Sequence, residues 1–137
     1  MLSGRRTSRR AWAGFSLLEL MVVASIVIIL TSIAVPAYHQ HVKRAREAVL
    51  REDLYHMRIA IGAYALDKLH GPQSLDELVS GDYLPEIPLD PFTHSRETWV
   101  VTEENEIQSV DQTQPGITEV HSGSTLTASD GTPYSTW

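Results

Sequence analysis

Residues 14–22 read GFSLLELMV, and they open a run that stays apolar as far as Val35. From Phe15 to Val35 the chain has 21 residues and one charged side chain, Glu19. As a helix at about 1.5 Å per residue this run is long enough to cross a bilayer core. A carboxylate near a membrane is costly, on the order of 2–3 kcal/mol on insertion scales. Glu19 therefore needs a reason. Upstream lie Arg5, Arg6, Arg9 and Arg10. A basic start before an apolar core also fits a secretory signal peptide cut near residues 32–34, or a plain signal anchor. The run is long for the first of these, Pro36 follows the plausible cut, and neither accounts for Glu19.

The pattern changes beyond Pro36. Leu50, Leu54, Met57, Ile61 and Tyr64 recur at spacings of 4, 3, 4 and 3, which predicts the buried stripe of an amphipathic helix. Glu47 and Arg51, at i and i+4, are expected to pair on its surface. Pro36 lacks a backbone N–H and is expected to kink or loosen the helix, and Gly71-Pro72 to end it. His39 and His41 stand two apart, so they face different ways and do not form a metal-ligand pair. The basic residues Lys43, Arg44 and Arg46 read as a solvated face or as a contact for acidic surfaces of neighbouring subunits.

After Gly71 the reading is of short elements. Ser74 is expected to cap a helix over 75–79, with Glu77 at the capping-box position. Pro85, Pro88 and Pro91 stiffen the following loop. Residues 97–102 and 106–110 read as strands around a turn at 103–105, and 117–121 as a third. Trp99, Val101, Ile107 and Val110 would supply the apolar face. The expected fold class is α+β: a long N-terminal helix, half membrane-embedded and half amphipathic, packed on a small antiparallel sheet.

Composition excludes several functions. The formal net charge is -6, and thirteen of the seventeen acidic residues lie beyond Ala65, where only Lys68 and Arg96 are basic. Such a surface repels phosphates, so nucleic acid is not an expected partner. The chain has no cysteine, hence no disulfide, no thiolate chemistry and no lipoprotein-type acylation. No nucleophile elbow, phosphate loop or His-Glu-x-x-His spacing occurs, and no enzyme activity is expected.

The segment GFSLLE resembles the processing motif of type IV pilins and pseudopilins. The resemblance implies that residues 1–14 are a leader removed by a prepilin peptidase between Gly14 and Phe15. It implies that Phe15 becomes an N-methylated N-terminus, and that Glu19 takes the family's glutamate position and neutralises the terminal amine of a neighbouring subunit. Two groups that are costly alone in a low dielectric become tolerable together. Residues 15–36 would then be the transmembrane and filament-core helix, and 37–137 a periplasmic pseudopilin domain. Tyr83, Leu84, Pro88, Asp90, Pro91 and Phe92 are similar to a segment of the major pseudopilins of type II secretion. Ser122, Gly123, Asp130, Gly131 and Trp137 resemble those proteins' calcium loop, which implies calcium as the one candidate cofactor, with Asp130 as its carboxylate. The family's further aspartates are replaced here by Thr132, Pro133 and Tyr134. The competing expectation is a loop held by its own hydrogen bonds and by packing of Trp137.

The function implied is a non-enzymatic subunit of a pseudopilus that drives protein secretion. Its partners would be further copies of itself, minor pseudopilins, the peptidase and the inner-membrane secretion platform. It would sit as a single pass in the inner membrane before extraction into the filament. A type IV pilin for adhesion, motility or DNA uptake is the alternative within the class. A secreted soluble binding domain is the alternative outside it.

Overall fold

A computed structural model describes residues 14–104 and 115–137. Its elements are α1 (Leu17–Lys68), α2 (Asp76–Ser80), β1 (Val100–Glu104), β2 (Gly116–His121) and a 3-10 turn at Tyr134–Thr136. The chain separates into two compact units, Met1–His39 and Gln40–Trp137. In the first, every residue from Phe15 to Val35 is exposed. The helix is long and apolar enough to cross a membrane, and none of its most apolar stretch is buried within the protein. Pro36 lies inside α1 without ending it.

In the second unit the 4-3-4-3 stripe does what its spacing predicts. Leu50, Leu54, Met57, Ile61 and Tyr64 are all buried, and Ala60 joins them. They pack with Leu78 of α2, Leu84, Trp99, and Ile117 and Val120 of β2. Leu69 turns into the left-handed region (φ 61°) just after Lys68, which stops α1 before Gly71-Pro72. The short helix starts at Asp76 with Leu75 before it, and no side chain caps it, so Ser74 is not its cap. Glu77 is half-buried and reaches past Ser74. Its Oε2 accepts from the Gln73 N–H at 3.0 Å and from the Tyr64 hydroxyl at 2.9 Å, tying α2 to α1.

The described sheet has two antiparallel strands. β1 starts three residues later than expected and takes in Glu103 and Glu104, which the sequence pattern had placed in a turn. Its partner is β2, with Val100 opposite His121 and Val101 opposite Val120. The expected strand at 106–110, with Ile107 and Val110, lies outside the described residues. The register slips between Thr102 and Glu103, leaving Thr118 as the extra residue, and its hydroxyl donates to the Thr102 carbonyl at 3.2 Å. Strict alternation cannot turn residues 117 and 120 to the same face, because they are an odd number apart. The bulge removes that conflict, and both Ile117 and Val120 reach the core.

The start of β2 is pressed against the end of α1's connection. The Ile117 N–H donates to the Pro72 carbonyl at 2.8 Å. A Cβ at Gly116 would collide with the backbone of Gly71, and a Cβ at Gly71 would meet the Ile117 carbonyl oxygen at 2.8 Å. Two backbones meet here with no room for a side chain on either. Gly116→Ala is therefore expected to destabilise the protein by about 2 kcal/mol or more, because backbone rather than a flexible side chain must move. Met57→Ala, which empties a fully buried site, is expected to cost about 2–5 kcal/mol. Urea unfolding of the detergent-solubilised chain measures both, and a Gly116→Ala midpoint equal to wild type would refute the close-contact account.

Candidate functional site

The N-terminal site begins at residue 14. Gly14 and Phe15 precede the helix and are exposed, so the peptide bond between them sits in non-helical backbone next to a helix start. Ser16 is the cap that sequence reading missed. Its Oγ accepts the Glu19 N–H at 3.1 Å, and its carbonyl accepts the Leu20 N–H at 3.1 Å. The first amides of a helix have no partners within it, and a serine at this position supplies one. The sequence Ser-Leu-Leu-Glu has the capping-box spacing, which is the signal that could have found it. Glu19 lies in the first turn, where the helix dipole favours a negative charge. Its side chain is exposed, and among the described residues it makes no ion pair. The structure thus gives Glu19 a local electrostatic fit while leaving its carboxylate exposed.

The proline-rich loop is organised by Asp90, whose side chain is fully buried. Its Oδ1 accepts the N–H groups of Phe92 at 2.8 Å and Thr93 at 3.2 Å, and its Oδ2 accepts the Ser122 hydroxyl at 2.5 Å. A buried carboxylate needs such donors, since desolvation without them is costly. Trp99 Nε1 donates to the Pro88 carbonyl at 2.9 Å. The residues singled out at 83–92 therefore serve as a structural knot. It joins the loop to the end of β2 and so to the start of the C-terminal segment.

That segment, residues 122–137, is fastened to one side of α1. Residues 43, 47, 51 and 58 recur on that side at spacings of 4, 4 and 7. Lys43 Nζ donates to the Thr127 carbonyl at 2.8 Å. Glu47 is buried, and its Oε1 accepts from the Ser129 N–H (2.7 Å), the Ser129 hydroxyl (2.8 Å) and the Tyr134 hydroxyl (2.9 Å). The Arg51 guanidinium stacks over the Trp137 ring, 4.0 Å from its centroid. Arg58 pairs with Glu119 and donates to the carbonyls of Val120 at 3.0 Å and Trp137 at 2.7 Å. Glu47 and Arg51 thus do not form the surface pair their spacing suggests. Glu47 and Arg51 each find another partner in the C-terminal segment, and the half-buried Lys43 reaches it as well. Tyr134, fully buried, stacks on Phe92 with ring centroids 4.0 Å apart and meets Trp137 edge-on at 5.1 Å.

Asp130 sits at the tip of a turn closed by the Gly131 N–H to the Ala128 carbonyl and the Ala128 N–H to the Thr132 carbonyl. Gly131 has φ 89°, a conformation that disfavours a side chain. The Asp130 side chain is exposed, and its Oδ1 accepts from Thr132 twice, N–H at 2.9 Å and Oγ1 at 2.6 Å. These bonds hold its carboxyl below the usual aspartate range. Trp137 Nε1 donates to Thr132 Oγ1 at 2.7 Å, which extends the same network.

Burial pushes the Glu47 carboxyl up, but the Ser129 and Tyr134 hydrogen bonds and the Lys43 charge outweigh it, so it titrates below the ordinary value. The Tyr134 phenol is pushed up, by burial first and then by its bond to Glu47, and remains a donor. A carboxylate depressed in the folded state stabilises fully above its unfolded pKa of about 4.3 and loses that contribution as pH falls through the folded value. Stability should therefore fall as the pH drops below about 4. Glu47→Gln, less stable at neutral pH, should lose less over that interval. Urea midpoints taken between neutral and acid pH check this, and parallel losses in the two proteins would refute it.

No protein-family model matches the chain, and no solved structure does. Curated proteins do. Over 100 residues the chain is 31% identical to the type II secretion system core protein G of Pseudomonas aeruginosa, covering 61% of this chain and 70% of that one. With the core protein G of Aeromonas hydrophila the identity is 32% over 100 residues, with the same coverage. The type IV major fimbrial protein FimA of Dichelobacter nodosus is 38% identical over 58 residues, 42% of this chain and 37% of that protein. The exposed apolar helix, the α+β domain that follows it in sequence and these likenesses agree, and the chain belongs to the type II secretion system core protein G family within the pilin-like superfamily.

Proposed function

We propose that this chain is a structural subunit of a type II secretion pseudopilus, made as a single-pass inner-membrane protein with its C-terminal domain in the periplasm. The observation that carries the reading is the run from Phe15 to Val35, helical from Leu17 onward. It is apolar and exposed along its whole length, and its one charge, Glu19, has no partner among the described residues. A helix of this kind is at rest either in lipid or against copies of itself. The chain does no chemistry of its own. Its work is mechanical, and its partners are further copies, minor pseudopilins, the secretion platform and the peptidase that frees Phe15. The core protein G likeness extends over 100 residues and the FimA likeness over 58, which favours secretion over a surface pilus.

Removal of residues 1–14 leaves a positive amine on Phe15, within a helical turn of Ser16 and Glu19. Moving from lipid into a filament core, that amine and a neighbour's Glu19 carboxylate exchange a poor environment for each other. An ordinary signal-peptide cut near residues 32–34 would instead divide α1 and discard its apolar half.

Mass spectrometry of the mature chain should give Phe15 as the first residue, carrying one methyl group. Gly14→Asp should leave the precursor uncut, because a charged side chain enters the peptidase pocket at the cleaved bond. A mature chain starting near Val35 would overturn the reading. Glu19→Val should insert in the membrane at least as well as wild type, since a costly carboxylate is gone. Its filaments should not form, because each buried amine loses a counter-charge worth about 3–5 kcal/mol once desolvated. Normal assembly of Glu19→Val, seen by crosslinking or electron microscopy, would show that the pairing is not what holds the subunits.

A further inference from the structure

Calcium takes about six to eight oxygen atoms whose lone pairs point at the ion. In the C-terminal segment several of the oxygens that would head such a set are turned to other donors. Asp130 Oδ1 already accepts from both the N–H and the hydroxyl of Thr132. The Thr127 carbonyl accepts from an ammonium group, Lys43 Nζ. The carboxylate that enters the segment is Glu47, and three donors converge on its Oε1. A cation placed there would face the Ser129 N–H and two hydroxyl protons. Among the described residues no three of His, Cys, Asp and Glu gather closely enough to hold a metal.

We propose that Lys43 and Glu47, one helical turn apart on α1, do in this chain the work of a bound metal ion. The Lys43 ammonium supplies positive charge at a loop carbonyl, and the Glu47 carboxylate gathers the donors of Ser129 and Tyr134. A metal ion in such a loop would pull scattered oxygens to one point and so order a segment with little regular structure. Here that ordering is carried out from the side of the helix. The segment reaches α1 at three further places: Trp137 under Arg51, the Trp137 carbonyl on Arg58, and Tyr134 in the core. Sequence supports the exchange. Thr132, Pro133 and Tyr134 stand after Asp130-Gly131 where further carboxylates would be needed, and Tyr134 is one of the donors to Glu47. Folding of the subunit is then indifferent to the calcium around it. This holds whether or not the chain assembles into a secretion filament.

The test uses the full chain in detergent, with thermal unfolding followed in millimolar calcium chloride and in chelator. The expected result is the same melting temperature in both, with Asp130→Ala close to wild type. Glu47→Gln should melt about 4–8 °C lower, the size of one lost interaction in a domain near this length. Added calcium should not restore it, and residues 122–137 should become open to limited proteolysis. Should Glu47→Gln fail to accumulate, Lys43→Met is the second variant, expected to shift melting in the same direction by less. A calcium-dependent rise in the wild type that vanishes in Asp130→Ala overturns the proposal and places calcium at Asp130. Wild-type melting and proteolysis in both Glu47→Gln and Lys43→Met overturn it as well.

Discussion

The burial of Glu47 is the constraint around which the end of the second unit is arranged. A carboxylate taken out of water must be met by donors, and α1 cannot supply them, because its own amides are spent on the helix. The donors come from Ser129 and Tyr134, more than eighty residues further along the chain. Once they are in place, Tyr134 is committed to the core beside Phe92, and Trp137 falls next to Arg51. The end of the described chain is thereby fixed to its long first helix. Between them lie the apolar stripe on one face of α1 and the polar row 43, 47, 51 and 58, so both kinds of contact grip the same helix.

Among the described residues, the buried carboxylates Asp90 and Glu47 divide the task. Asp90 orders the proline-rich loop and, through Ser122, sets where the C-terminal segment begins. Glu47 sets where that segment lies along α1. Between these anchors the segment has almost no regular structure, only a 3-10 turn and one bridge between Thr127 and Pro133. Anchoring by side chains at both ends is what lets sixteen largely polar residues hold one conformation without a sheet of their own.

Much of this was legible in the sequence, and what was not has physical causes. The stripe Leu50–Tyr64 was readable because a 3.6-residue period depends only on local geometry. The helix of the apolar run was readable because some twenty apolar residues with a single charge suit few other structures. Ser16 was missed although its capping-box spacing was in view, since Glu19 already had a role from the resemblance. Glu47 was misassigned because i, i+4 spacing shows which side chains are close along a helix, not which distant donors compete for them. The strand partner of β1 was hidden for a similar reason: pairing of 100–104 with 116–121 is settled by the close approach of Gly71 to Gly116 and by a bulge at Thr118. Neither leaves a mark in alternation. Asp90 was singled out by resemblance alone, and its burial gives the physical reason for an aspartate between two prolines.

The place where Lys43 and Glu47 meet the C-terminal segment also fixes how tension would enter the domain. A pull on the apolar half of α1 reaches the second unit at Gln40, and the first lateral bonds it meets are those to Thr127, Ser129 and Tyr134. Load is passed at once to the far end of the chain rather than through the loops between. The following bonds, at Arg51 and Arg58, take up what remains. A pull on that helix would therefore be felt early by the segment that lies furthest from it in sequence.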